Sequence, residues 1–210
     1  MLNLVTFNIS DRHLLENSYN AFKNKEEVEI VTESQEKEQI FRQTNDNVRR
    51  PTNANFSFQN LFKLKTMHGR FYVAQCLADF GYPIGTKGSQ IFQQKYAFQL
   101  IGIANLKVDI GVTHLRPETK LDKILTRFFN SDIDFDGVEK FNDKYFLVSN
   151  KRTEVLKYFD KTFLNAIAKY NDILLTTNGK QMYISFDQEL NINQTRIAQD
   201  IFTNFKYLEK

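Results

Sequence analysis

Tryptophan is absent, cysteine occurs once, histidine and proline three times each, and no apolar run is long. Each shortage excludes something. With Cys76 alone there is no intrachain disulfide and no thiolate metal cage, and a lone thiol fits a reducing compartment. No run approaches the roughly 18 apolar residues of a membrane-crossing helix. The start, from Met1 to Val5, reaches Asp11 before any signal-peptide core develops, so the chain reads as cytoplasmic. No block is strongly one-signed. Residues 1–60 carry 7 basic and 9 acidic side chains, giving −2; residues 61–150 carry 12 and 9, giving +3; residues 151–210 carry 9 and 7, giving +2. A pI near 8.8 therefore permits nucleic acid without arguing for it. No internal repeat is visible.

What is present is phenylalanine, with 20 copies, inside a 41% apolar composition. Large rings bury much area each, enough for a real core in one domain. Residues 1–9 alternate as a strand, Ser10 and Asp11 cap a helix to about Lys23, and Val28 to Val31 suggests a short strand. From Glu33 to Asn60 polar residues dominate with few apolar anchors, Arg49 to Asn53 within it reads as loop, and a soft boundary falls near residue 51. Residues 70–80 and 91–106 read as strands joined by the breaker-rich Gly81 to Ser89. Val108 to Leu115 reads as another strand. Pro117 then opens a helix carrying Leu121, Ile124, Leu125 and Phe128. Lys144 to Ser149 is a strand. Thr153 caps a helix with the stripe Val155, Leu156, Phe159, Phe163 and Ile167. Ile173 to Phe186 is a hairpin about Asn178-Gly179, a pair suited to positive φ at both positions. A last helix begins near Thr195 and carries Ile197, Ile201, Phe202, Phe205 and Leu208. The expected fold is α+β: a mostly antiparallel sheet with helices packed on one face. The organisation is an N-terminal αβ segment and polar linker over 1–50, then a main α+β domain over 51–210.

Four patterns carry chemistry. Asp132, Asp134 and Asp136 precede Gly137, and Asp143 takes the twelfth place, as in a calcium-binding loop. Glu139 at the eighth place, a short acid at the twelfth and a following strand depart from that pattern. An edge strand with apolar residues on one face and acids on the other is the favoured reading of the alternation. Gly81 to Ser89 misses the spacing of a phosphate loop and reads as a turn. Cys76 lies in an apolar strand, where a buried thiol outranks a thiol–imidazole pair with His13, His68 or His114. Lys63, Lys65 and Arg70 beside Phe62, Phe71 and Tyr72 mix cations with aromatics. Single-strand stacking platforms use such mixtures, and so do ordinary strands with one buried and one solvated face.

From about residue 60 to 208 the chain resembles a family of uncharacterised bacterial proteins. The residues that carry the resemblance are Leu115-Arg116-Pro117-Glu118, Asp132-Ile133-Asp134-Phe135-Asp136, Phe141 with Tyr145 and Leu147, and Val155 with Phe159. Gly69-Arg70-Phe71 and Asp79-Phe80-Gly81-Tyr82 are similar too. The resemblance implies an α+β domain of unknown activity with no catalytic residues to carry over. Many members have hydrophobic spans before this domain, whereas residues 1–59 here are polar.

The chain reads as a non-enzymatic interaction or structural module. The alternatives are a metal-dependent enzyme or metal-binding protein using Asp132, Asp134 and Asp136 with Asp143, and a nucleic-acid binder. No cofactor and no catalytic residue is expected. A protein partner is expected ahead of nucleic acid.

Overall fold

A computed structural model describes residues 13, 15–17, 20, 28–47, 54–84, 91–119, 122, 132–186 and 190–210. The expected strand at 1–9, most of the two helices expected at 10–23 and 117–128, and the tip of the Gly81 to Ser89 turn lie outside them. The described elements are β1 (Val28–Ile30), α1 (Ser34–Asn47), β2 (Ala54–Thr66), β3 (Gly69–Ile84), β4 (Ile91–Asn105) and β5 (Thr113–Pro117). After these come α2 (Glu139–Asn142), β6 (Tyr145–Ser149), α3 (Arg152–Tyr158), α4 (Lys161–Ala168), β7 (Ile173–Asn178), β8 (Gln181–Phe186) and α5 (Ile192–Thr203). Eight strands form one sheet in the order β1-β2-β3-β4-β8-β7-β5-β6, and every pairing is antiparallel. Among the described residues no helix is long and apolar enough to cross a membrane.

Alternation along each strand divides the side chains between two faces. Phe62, Leu64, Phe71, Val73, Leu100, Ala104, Ile184 and Leu175 point to the larger core, where α4 delivers Phe163 and Leu164, α5 delivers Phe202, and the segment after α5 adds Phe205. Phe202 stacks on Phe71 at 4.8 Å, and Phe163 meets Phe205 at 4.7 Å. Gly102 makes room for that helix, since a Cβ there would stand 2.6 Å from the Phe202 ring. On the same face Asn60 Nδ2 donates to Gln75 Oε1 at 2.9 Å, and Gln75 Nε2 donates to the Leu15 carbonyl at 3.0 Å, so two buried amides answer one another.

The opposite face is covered as well, which corrects the expected one-sided packing of helices. Val31 and Ile40 pack there on Leu61, Tyr72, Ala74, Cys76, Ile101, Ile103 and Tyr183. The helix that brings Ile40, α1, lies in the polar stretch after Glu33, for which no helix is expected from the sequence. Its sequence is mostly polar, so its apolar stripe is too thin to announce a helix, and the sheet supplies the burial that periodicity does not. The molecule is a large antiparallel sheet with both faces covered near its middle, dominated by strand pairing. β1 is a strand of this sheet and α1 packs on it, although both come from the first 50 residues.

Three further differences have local causes. The stripe from Val155 to Ile167 is two helices, not one: Phe159 leaves the helix at ψ 85°, and Asp160 caps α4 by accepting from Phe163 N at 3.0 Å. Pro117 ends β5 opposite Tyr145. Asn178 is the last paired residue of β7, opposite Gln181, so the tight turn is Gly179-Lys180, with Gly179 at φ +61°.

Candidate functional site

β2 and β3 are joined by Met67 and His68. The Thr66 hydroxyl fixes the turn, donating to the Gly69 carbonyl at 3.1 Å and accepting from His68 N at 3.2 Å. Beyond the turn the C-terminal tail wedges between β3 and β4. Arg70 N donates to the Glu209 carbonyl at 2.8 Å, and Glu209 N donates to the Asn105 carbonyl at 2.9 Å. Gly69, at φ +151°, allows this approach: a Cβ there would collide with the Glu209 carbonyl and with Leu208. The wedge brings Lys210 to the hairpin.

A hairpin with a two-residue turn sets residues equidistant from it opposite one another. Lys65 therefore faces Arg70, and Lys63 faces Tyr72 on one side and Glu29 of β1 on the other. All lie on the sheet face that α1 covers further along. Together Lys63, Lys65, Arg70 and Lys210 line a cleft of about 450 Å³, with Glu29 and Thr66 in its wall and Met67 at its lip. Met67 is 86% exposed.

Lys63 is also tied to the first turn of α1. Glu36 Oε1 accepts from Tyr72 OH at 2.7 Å and from Lys63 Nζ at 3.3 Å. Burial pushes the Glu36 carboxyl up, but these two bonds outweigh it and hold the group below its usual range. Tyr72 is raised, first by burial and then by its bond to Glu36. The phenol is thus a fixed donor. Phe62 and Phe71 point to the other face and are fully buried, so neither offers a ring to this cleft. The mixture of cations and aromatics noted in the sequence separates by face.

The carboxylates of the acidic loop divide between the interior and the surface. Asp132 turns inward, and its Oδ1 accepts from Ile133 N at 2.8 Å and Leu147 N at 2.7 Å. That bond caps the outer edge of β6, and Ile133 N adds to it by donating to the Leu147 carbonyl at 2.9 Å. Burial raises the Asp132 carboxyl against the lowering effect of its two amides. Asp134, Asp136 and Asp143 are exposed, while Ile133, Phe135 and Val138 are buried. Among the described residues no three His, Cys, Asp or Glu side chains gather to hold a metal. Gly137 does take the positive φ, +72°, that the pattern suggests, in a turn before α2.

Beside this loop, Arg116 grips Asp122 through two bonds, NH1 to Oδ2 at 2.5 Å and NH2 to Oδ1 at 2.6 Å, and lies over the Phe146 ring at 4.7 Å. Arg116, then burial opposing it, leaves Asp122 well below the usual carboxylate range. Two of the stretches that carry the family resemblance thus flank β6, Leu115 to Glu118 through its pairing with β5 and Asp132 through the Leu147 amide. Cys76 is fully buried under α1 and its thiol is pushed up by that burial, whereas His13 and His114 are exposed.

Sequence reasoning found Lys63, Lys65 and Arg70 but not Glu36, Glu29 or Lys210, which arrive from distant segments. One signal was available: Lys65 and Arg70 are equally far from the centre of Met67-His68, so any hairpin turning there puts the two cations face to face. Comparisons with protein-family models, with curated proteins and with solved structures find no match.

Proposed function

We propose that this protein is a non-enzymatic binding module, cytoplasmic, whose working surface is the basic cleft at the β2–β3 hairpin and whose ligand is anionic. The observation that carries this reading is the register that sets Lys65 directly opposite Arg70. Lys63 and Lys210 stand on the same cleft, so a negatively charged group bound there meets basic side chains from β2, β3 and the C-terminal tail. Asp132 and the Arg116–Asp122 pair are engaged in holding backbone and strands, which supports placing binding at the cleft. Membership of the family that the Leu115 to Glu118 and Asp132 to Asp136 stretches resemble is part of the same proposal and assigns no residue role.

The test is an NMR titration of labelled protein with inorganic phosphate, at constant ionic strength set by chloride. Saturable shifts confined to Lys63–Tyr72, Glu29 and Lys210, and absent from the Lys65→Gln/Arg70→Gln double variant, support the reading. Shifts that grow linearly and spread over the whole surface overturn it.

A further inference from the structure

We infer that α1, with the short strand β1 before it, is a lid: it detaches from the middle of the sheet while the rest of the molecule stays folded, and its opening uncovers an apolar floor. The inference is independent of the anion-binding reading. Three features carry it.

The first is how little α1 buries. Its sequence is mostly polar, and among its described side chains only Ile40 and Thr44 are buried. Thr44 turns its hydroxyl back into the helix, donating to the Ile40 carbonyl at 2.7 Å. Phe41 reaches only the rim, edge-on to Phe58 at 5.1 Å. On the other face α4 buries Phe163, Leu164, Ala166 and Ile167, and α5 buries Ala198, Ile201 and Phe202. Segments with few buried apolar contacts open at lower free energy than the core. A polar helix of 14 residues is also marginal alone, so off the sheet it unwinds and gains the entropy of a free chain.

The second is how α1 is held. Polar tethers near its two ends stand where the other helices have apolar packing. Glu36 Oε1 accepts from Tyr72 OH and Lys63 Nζ, Lys37 Nζ donates to the Gln59 carbonyl at 3.4 Å, and the Gln43 carbonyl accepts from Tyr183 OH at 3.1 Å. Opening exchanges such bonds for bonds to water, so the net contribution of each is small. β1 adds Val28 opposite Leu64, Glu29 opposite Lys63 and Ile30 opposite Phe62, and Val31 N donates to the Leu61 carbonyl at 2.9 Å. Because β1 is the outermost strand, detaching it with α1 breaks none of the pairings from β2 through to β6, and the floor's own amides stay paired.

The third is what lies underneath. Leu61, Ala74, Ile101, Ile103 and Tyr183 form an apolar floor across β2, β3, β4 and β8, with Cys76 fully buried among them. Closed, the thiol is out of solvent, and burial pushes its pKa up. Open, it regains an ordinary thiolate fraction and becomes reactive. The chain's one cysteine therefore reports the lid.

The experiment is modification of Cys76 in the full chain by an excess of an aromatic disulfide reagent, followed from native buffer up through the urea unfolding transition. The expected result is that at low urea Cys76 reacts through an opening less costly than global unfolding and nearly insensitive to urea, merging with global unfolding only near the midpoint. Tyr72→Phe and Tyr183→Phe each cut one tether and should speed native-state modification about fivefold or more. Ile201→Val, in α5 on the opposite face, should lower the urea midpoint and leave native-state modification unchanged. Modification that tracks global unfolding at every urea concentration, and quickens in Ile201→Val in step with its lost stability, overturns the inference. Native-state modification unaltered in both tyrosine variants overturns it as well, because Cys76 would then be reached by a motion other than release of α1.

Discussion

Asp132 and Asp122 are ten residues apart, and the fold drives their carboxyl groups in opposite directions. Burial dominates at Asp132 and raises it above its ordinary 3.8, whereas Arg116 dominates at Asp122 and lowers it. The stability consequences have opposite signs. The raised group takes up protons on folding, so its favourable contribution is complete below 3.8 and is lost as pH climbs through the raised value. The lowered group contributes fully above 3.8 and loses that contribution as pH falls through its folded value. At neutral pH the Asp132 charge is therefore a liability, and its worth lies in Oδ1 as an acceptor for two buried amides. Asp132→Asn keeps an acceptor and removes the charge, so the urea midpoint at pH 7 should hold or rise. Asp132→Ala leaves the Ile133 and Leu147 amides without it and should cost about 1–3 kcal/mol. An Asn variant that falls as far as the Ala variant would show that the charge itself is needed. None of this was legible in the sequence, where Asp132 looks like Asp134 and Asp136. Which acid turns inward is decided by the edge of β6, and β6 reaches it only through tertiary structure.

Elements with a dense apolar pattern were easier to read. The hairpin β7–β8, strand β6 and helix α5 stand close to where alternation and helical spacing place them, because each buries its own stripe in the larger core. The misreadings share a cause too. At α3 and α4 the stripe runs through a break, since periodicity does not see the Asp160 cap, and Leu156 within that stripe is 45% exposed while Val155 is fully buried. The contrast between two members of the expected apolar set gives a direct check on which helix faces are core. Phe202, stacked on Phe71 and seated over Gly102, should cost about 3–5 kcal/mol on replacement by Ala. Leu156→Ala should change stability by no more than about 0.5 kcal/mol. Equilibrium urea unfolding measures both, and similar losses for the two would show that α3 is turned the other way. The basic cleft was half legible: hairpin symmetry dictates the facing of Lys65 and Arg70, but Glu29 and Lys210 are brought by β1 and the tail, whose positions follow from no local pattern.

Across the whole molecule, coverage is greatest at the centre of the sheet, where β4 and β8 carry buried side chains on both faces: Leu100, Ile101 and Ile103 on one strand, Met182, Tyr183 and Ile184 on the other. Regions buried on both faces open only with global unfolding, whereas a three-residue edge strand such as β1 frays. Native-state hydrogen exchange should find the slowest amides at Leu100–Ile103 and Met182–Ile184 and faster exchange at β1; the reverse order would place the stable unit in the β1–β2–β3 meander. The strand order has a further consequence, for the sequence of events during synthesis. β4 and β5 follow one another in the chain, yet β8 and β7 lie between them in the sheet. While the ribosome is still adding residues up to 172, the nascent chain can assemble the β1–β4 meander and the β5–β6 pair, each with an unpaired strand edge facing the gap. Those edges are templates for pairing with another chain. Only when residues 173–186 emerge can the hairpin fill the gap and join the two halves, so the interval before that is when the growing chain is most open to aggregation and most in need of a chaperone.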